Sequence, residues 1–266
     1  MNLTDQAAAK ACCADLYQSD LARLVFGDTL HPGGLGLTNR LGRLMAIRPG
    51  DWVADLASGR GSSALAVSRV FHCNVIGVEF GAVAVTQARD AALESNASGA
   101  CFVRGDAEYI PLRSGRFDAV FSECSISLFS DKPAAVRQIA DLLRPGGRFG
   151  LSDVVLATGS LPSELDGTLG QLLCMTNALD VQGYQELLRD GGLDSIHSED
   201  ASGEIIKILD DVENKMGALR AWQSLARPSD GQDEMLDKAP LLVSRLRQMV
   251  QDGELGYWLF AAQKPG

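Results

Sequence analysis

The chain has 266 residues, 46% of them apolar, enough to bury the core of one large domain. Its formal net charge of −10 disfavours phosphate backbones and anionic lipid surfaces, so neither nucleic acid nor membrane is expected as a partner. No apolar stretch approaches the roughly 20 residues that span a bilayer. The N-terminus, with Asp5 and Lys10 among alanines, has no signal-peptide core, and the expected location is cytoplasmic.

In chain order, Leu37, Leu41, Leu44 and Met45 share one helix face, and Pro49-Gly50 ends that helix. Residues 52–56 are a short apolar run that reads as a buried strand. A small-residue loop follows, and 62–71 reads as a helix. The alternation repeats with strands at 75–79, 100–104 and 117–121 and helices at 82–95 and 133–143. Pro145-Gly146-Gly147 is a turn, and 148–154 is a fifth strand. Strands alternating with helices imply a parallel sheet covered on both faces, with right-handed crossovers.

After Val154 the rhythm changes. Helices are expected at 161–175, 180–190, 204–226 and 233–250, with a weak strand near 195–198. The run from Tyr257 to Ala262 reads as a last strand returning to the sheet. The expected fold is therefore α/β, a doubly wound, mostly parallel, seven-stranded sheet with a helical lid insertion. The division is an N-terminal helical flap (1–40), a nucleotide-binding core (41–158), a mostly helical lid and acceptor region (159–252) and a terminal strand (253–266).

The segment Asp55-Leu56-Ala57-Ser58-Gly59-Arg60-Gly61-Ser62 follows a strand and opens a helix. Gly59 and Gly61 let the backbone turn sharply and approach a ligand, and the helix N-terminus faces it. Glu79, followed by Phe80, ends the next strand 18 residues beyond Gly61, where a carboxylate can accept from both hydroxyls of a ribose. Gly59-x-Gly61-x-x-Ala64 also fits a dinucleotide fingerprint, so this loop alone leaves an NAD-binding oxidoreductase open. Three later segments bear on the choice: Gly105-Asp106-Ala107-Glu108 after strand three, Gly115-Arg116-Phe117-Asp118 before strand four, and Leu142-Leu143-Arg144-Pro145-Gly146-Gly147 before strand five.

This ordered series, over about residues 40 to 155, resembles the class I S-adenosylmethionine-dependent methyltransferases. The resemblance implies S-adenosylmethionine as cofactor. It gives Asp55 the ordering of the loop around the methionine part, Glu79 the ribose and Asp106 the adenine. Phe80, Ala107 and Glu123 complete the expected cofactor set. Ala57 departs from the family's usual glycine, which is tolerable where φ is negative.

The acceptor meets the cofactor where Ser122-Glu123-Cys124-Ser125 leaves strand four. The six cysteines are Cys12, Cys13, Cys73, Cys101, Cys124 and Cys174, with no Cys-x-x-Cys pair, so reduced thiols are expected rather than a zinc ribbon or a disulfide framework. Cys73 and Cys101 lie beside core strands and read as packing. The adjacent Cys12-Cys13, Cys124 followed by Leu128-Phe129-Ser130-Asp131-Lys132, and Cys174 resemble the cysteine placement of the arsenite methyltransferases. That resemblance implies Cys124 and Cys174 as ligands of As(III), Cys12 or Cys13 as a further thiolate or a disulfide-exchange partner, and a thiol reductant as co-reactant. Soft trivalent arsenic favours thiolates, and its lone pair can attack a sulfonium methyl in line. Glu123 stands where better-known members have Asn, and the C-terminal part does not match the family's. A small organic acceptor (a phenol, a quinone precursor, a thiol or a selenol) is the alternative. For a hydroxyl acceptor, His31 or Glu123 is the candidate base.

Overall fold

The computed structural model describes residues 29, 31–157, 165, 167, 170, 173–225 and 234–266, without the side chains of 218–225 and 234–239. Cys12, Cys13 and most of the expected helix at 161–175 lie outside the described residues. The elements run α1 (Gly34–Leu44), β1 (Trp52–Leu56), α2 (Ser62–Phe71), β2 (Asn74–Glu79), α3 (Ala82–Glu94), β3 (Ala100–Arg104), β4 (Phe117–Glu123), a 3₁₀ turn (Ile126–Leu128), α4 (Lys132–Leu142) and β5 (Leu143–Leu156). They continue with α5 (Val181–Asp190), β6 (Asp194–Asp200), α6 (Gly203–Leu225), α7 (Glu234–Gln251) and β7 (Leu255–Gln263).

The seven strands form one sheet in the order β3-β2-β1-β4-β5-β7-β6. β1 to β5 are mutually parallel, and β7 runs antiparallel to both its neighbours. The order reverses between β1 and β4, which makes the crevice at the carboxyl ends of these two strands the expected ligand position. The continuous apolar runs of the central strands follow from burial on both faces. On one face, Val53, Phe121 and Val154 meet Leu41 of α1, Val67 of α2 and Leu246 and Met249 of α7. On the other, Val120, Leu151 and Phe260 meet Ile139 of α4 and Tyr184 and Leu188 of α5. Each such large apolar side chain contributes roughly 1.5–3 kcal/mol when fully buried.

Residues 181–200 differ from the sequence reading, which put them inside one helical insertion. α5 packs beside α4, and β6 pairs with β7 to complete the sheet. The strand expected at 195–198 is seven residues long, with a register shift between Asp194 and His197. Among the described residues, those outside the sheet on this side are 173–180, before α5, and α6 with α7, between β6 and β7. No helix among the described residues is long and apolar enough to cross a membrane.

Candidate active site

The loop after β1 turns through a run of left-handed residues: Ala57 (φ 59), Gly59 (φ 53) and Gly61 (φ 81). Glycine explains two of them. At Gly61 a Cβ would also meet the Phe102 ring at 2.5 Å. Ala57 corrects the expectation of negative φ: a left-handed alanine costs roughly 1–2 kcal/mol, sustained by the ends of β1 and β2, where the Ser58 N–H donates to the Val78 carbonyl at 3.1 Å. Local strain of this kind gathers at ligand sites.

Glu79, at the end of β2, joins this loop to the next one. One carboxylate oxygen accepts from the Gly59 N–H at 2.9 Å, the other from the Gly81 N–H at 2.7 Å. Burial raises its pKa, and these N–H donors oppose the rise. Phe80 follows directly, its carbonyl accepting from the Arg104 guanidinium at 3.3 Å. Asp55 is fully buried on β1, its pKa pushed well up by burial and then by the charges of Glu123 and Glu79. Its Oδ2 and the Ser58 hydroxyl are buried and have no partner among the described residues. A cationic, polar ligand at the loop would satisfy both atoms and relieve the crowding of three carboxylates. Asp106 lies beyond β3 in a small turn, where it accepts the Glu108 N–H at 2.9 Å and bridges to Tyr109, with Ala107 buried beneath. The left-handed cradle, the orphaned carboxylate and hydroxyl, and the Glu79 carboxylate at the end of β2 fit a nucleoside sulfonium.

At the end of β4, Cys124 and Cys174 are brought together from 50 residues apart. The Cys124 thiol donates to the Cys174 sulfur at 2.7 Å, and the Cys174 thiol donates to the Cys124 carbonyl at 3.1 Å. Both are buried and both backbones are left-handed, φ 50 and 57. The contact with Cys174 raises the Cys124 pKa well above its usual value. Burial adds to this, as do the charges of Asp153 and Glu123. The separation is shorter than the roughly 3.5–4 Å that two thiolates sharing one ion span at bonds near 2.3 Å, so the side chains must part to admit one. Among the described residues, no group of three or more His, Cys, Asp or Glu is arranged to hold a metal ion. Cys73 is buried and its thiol donates to the Val67 carbonyl at 3.6 Å. Cys101 is exposed on the edge strand β3, not packed as expected, because that strand is covered by only one neighbour.

Sequence reasoning missed the polar cluster that surrounds Glu123. Thr38 of α1 donates to its two oxygens at 3.2 and 3.0 Å, and His31 Nε2 lies 3.3 Å from Oε2. Ser152 donates to Glu123 at 3.5 Å and meets the Tyr257 hydroxyl at 3.0 Å. The available signal was Thr38 itself, a polar residue on the buried stripe of α1 beside Leu37 and Leu41. Asp153 was missed too. It accepts the Ser127 N–H at 2.9 Å, fixing the 3₁₀ turn behind Cys124, and burial raises its pKa to about 6.

Residues 53–147, which carry all of the nucleotide loop and β4, match the family model described as a methyltransferase domain. The chain carries an S-adenosylmethionine-dependent methyltransferase domain. The chain is 28% identical over 264 residues to 27-O-demethylrifamycin SV methyltransferase of Amycolatopsis mediterranei, covering 93% of this chain and 94% of that one. It is 28% identical over 215 residues to the arsenite methyltransferase of Halobacterium salinarum, covering 75% and 54%. Its fold superposes with a TM-score of 0.78, at 19% identity, on phosphoethanolamine N-methyltransferase 2 of Haemonchus contortus in complex with S-adenosyl-L-methionine. The superposition covers 96% of this chain and 60% of that one.

Proposed function

We propose that this methyltransferase transfers a methyl group to trivalent arsenic held by Cys124 and Cys174. The observation that carries the reading is the thiol pair itself, two buried sulfur atoms 2.7 Å apart at the end of β4. The high pKa of Cys124 is no obstacle. Arsenous acid brings its own hydroxides, and each leaves as water with the proton of the incoming thiol, so no free thiolate is required beforehand. The sulfur atoms part by about 1 Å to reach the span set by thiolate bond lengths, and arsenic then keeps an outward lone pair.

The cofactor supplies a methyl group on a positively charged sulfonium. Glu79 would hold its ribose, Asp106 with Phe80 and Ala107 its adenine, and Asp55 with the loop from Ala57 to Gly61 its methionine part. Glu123, one residue before Cys124, would set a negative charge on the side of the sulfonium. The chain's contribution to rate is alignment of the lone pair with the methyl group and exclusion of water. Cys12 and Cys13, outside the described residues, are the candidates for the disulfide exchange that returns arsenic to the trivalent state at the expense of a thiol reductant.

A second reading, methyl transfer to a small organic acceptor, is favoured by the end-to-end similarity to the rifamycin methyltransferase. In it the two thiols merely line the pocket. Mass spectrometry of products separates the two. Arsenite, S-adenosylmethionine and a thiol reductant should yield methylated arsenic, and Cys124→Ser and Cys174→Ser should abolish it. Methylation of phenols or quinone precursors with no arsenical turned over would establish the second reading instead.

A further inference from the structure

The arsenic reading leaves the buried histidine His31 without a task. His31 is 4% exposed and lies in the turn before α1, far from both cysteines in sequence. Its Nδ1 lies 3.0 Å from the Pro32 carbonyl, which only accepts, so that nitrogen carries a hydrogen. Its Nε2 faces three groups: Glu123 Oε2 at 3.3 Å, the Ser63 hydroxyl at 3.3 Å and the Thr38 hydroxyl at 3.4 Å. These come from β4, from the first turn of the helix after the nucleotide loop, and from α1. The set satisfies Nε2 in both of its states. A protonated Nε2 donates to the carboxylate, and a bare Nε2 accepts from Ser63, the Thr38 hydrogen being given to Glu123. A histidine held only for packing needs one of these arrangements, not both.

We infer that His31 takes the proton released in the transfer step, with Glu123 stabilising the imidazolium that results. This rests on the arsenic reading and adds a second requirement to it: arsenic bound by two thiols keeps a hydroxyl as its third substituent. The arsenic lone pair forms the As–C bond while the C–S bond breaks, its electron pair staying on sulfur. Arsenic rises from the trivalent to the pentavalent state and would be left as a hydroxyl-bearing cation. Loss of the As–OH proton to His31 Nε2 gives a neutral oxo product, and the positive charge that began on the sulfonium ends on the imidazolium beside Glu123. Asp55 and Glu79 are further buried carboxylates of the crevice, and Asp153 is buried behind Cys124.

The test compares arsenite with arsenic tris-glutathione in single turnovers, so that no reductant is needed. With a third thiolate in place of hydroxyl there is no proton to remove. His31→Gln should lower the ratio of the arsenite rate to the tris-glutathione rate about 100-fold, the low end of what a general base supplies. Imidazole added to His31→Ala should restore part of the arsenite rate alone. Calorimetry should find S-adenosylmethionine bound by both variants within about threefold of the parent, a change of under 1 kcal/mol. An equal loss with both arsenicals, a fall in cofactor affinity that accounts for the loss, or no loss at all would overturn the inference. A parent protein that methylates neither arsenical would overturn the arsenic reading as well, and that result is seen before any variant is made.

Discussion

The cofactor side and the acceptor side of this crevice are built on different principles. The cofactor side is local: Asp55, Ala57, Gly59 and Gly61 lie within seven consecutive residues, and Glu79 reaches back to the same loop through one N–H. The acceptor side is assembled from distance. Cys174 meets Cys124 across 50 residues, and Tyr257 meets Ser152 across 105. A site made by one strand-loop-helix unit can be inherited whole with the fold. A site made by residues outside the sheet, here Cys174 and the turn carrying His31, can be exchanged without disturbing it. The family model ends at residue 147, taking in the nucleotide loop and Cys124 but neither Cys174 nor Tyr257, and relatives of similar identity are named for a rifamycin and for arsenite.

If the two sides are separable, variants should act on one and spare the other. The largest effect is expected from Cys124→Ser or Cys174→Ser: methylation of arsenite falls at least about 100-fold, equivalent to about 2.7 kcal/mol. Cofactor affinity by calorimetry stays within about twofold. A parallel loss of cofactor binding would show that the sides are coupled. Gly61→Ala should do the converse. Its left-handed backbone and the Phe102 ring at 2.5 Å leave no place for a methyl group, so thermal or urea unfolding should show a loss of about 3 kcal/mol. Cofactor affinity should fall with it.

Asp153, behind the thiol turn, gives a pH signature of the acceptor side. Its folded pKa is about 6 against 3.8 for the free carboxyl, so the folded state holds the proton more tightly than the unfolded chain. The stability this confers is complete below the unfolded value and is lost as pH rises through 3.8 to 6. A difference of this size corresponds to about 3 kcal/mol. Asp153→Asn removes that term, and urea unfolding of the two proteins from pH 4 to 7 should show the variant gaining on the parent as pH rises. A constant difference would mean that Asp153 does not titrate there. The smallest effect is on the loop: Ala57→Gly should be neutral to about 1 kcal/mol stabilising, since relief of the left-handed alanine outweighs the added freedom of the unfolded chain. A loss of stability would mean that φ is negative there.

The same contrast explains what was legible in the sequence. Strands β1 and β3 and helix α2 have the expected bounds because apolar runs and Gly or Pro breaks mark them locally. The return of β7 to the sheet was legible in one terminal apolar run, but its place between β5 and β6 was not. The body position of residues 181–200 was hidden because β6, half exposed and with polar Ser195, Ser198 and Glu199, lacks the apolar run of a central strand. Ala57 was misjudged because alanine signals nothing about φ. The pairing of Cys124 with Cys174 was accessible only through the resemblance of their spacing. The meeting of His31 with Glu123 had no sequence signal, although each was a candidate base by residue type.

The most direct measurement of the central claim is X-ray absorption at the arsenic edge on the protein loaded with arsenite, beside the Cys124→Ser/Cys174→Ser double variant. The expected spectrum of the parent contains arsenic–sulfur bonds, with an oxygen neighbour beside them, and those bonds vanish in the variant. Arsenic surrounded by oxygen alone in the parent, or an unchanged sulfur shell in the variant, would contradict the assignment of this thiol pair as the acceptor site.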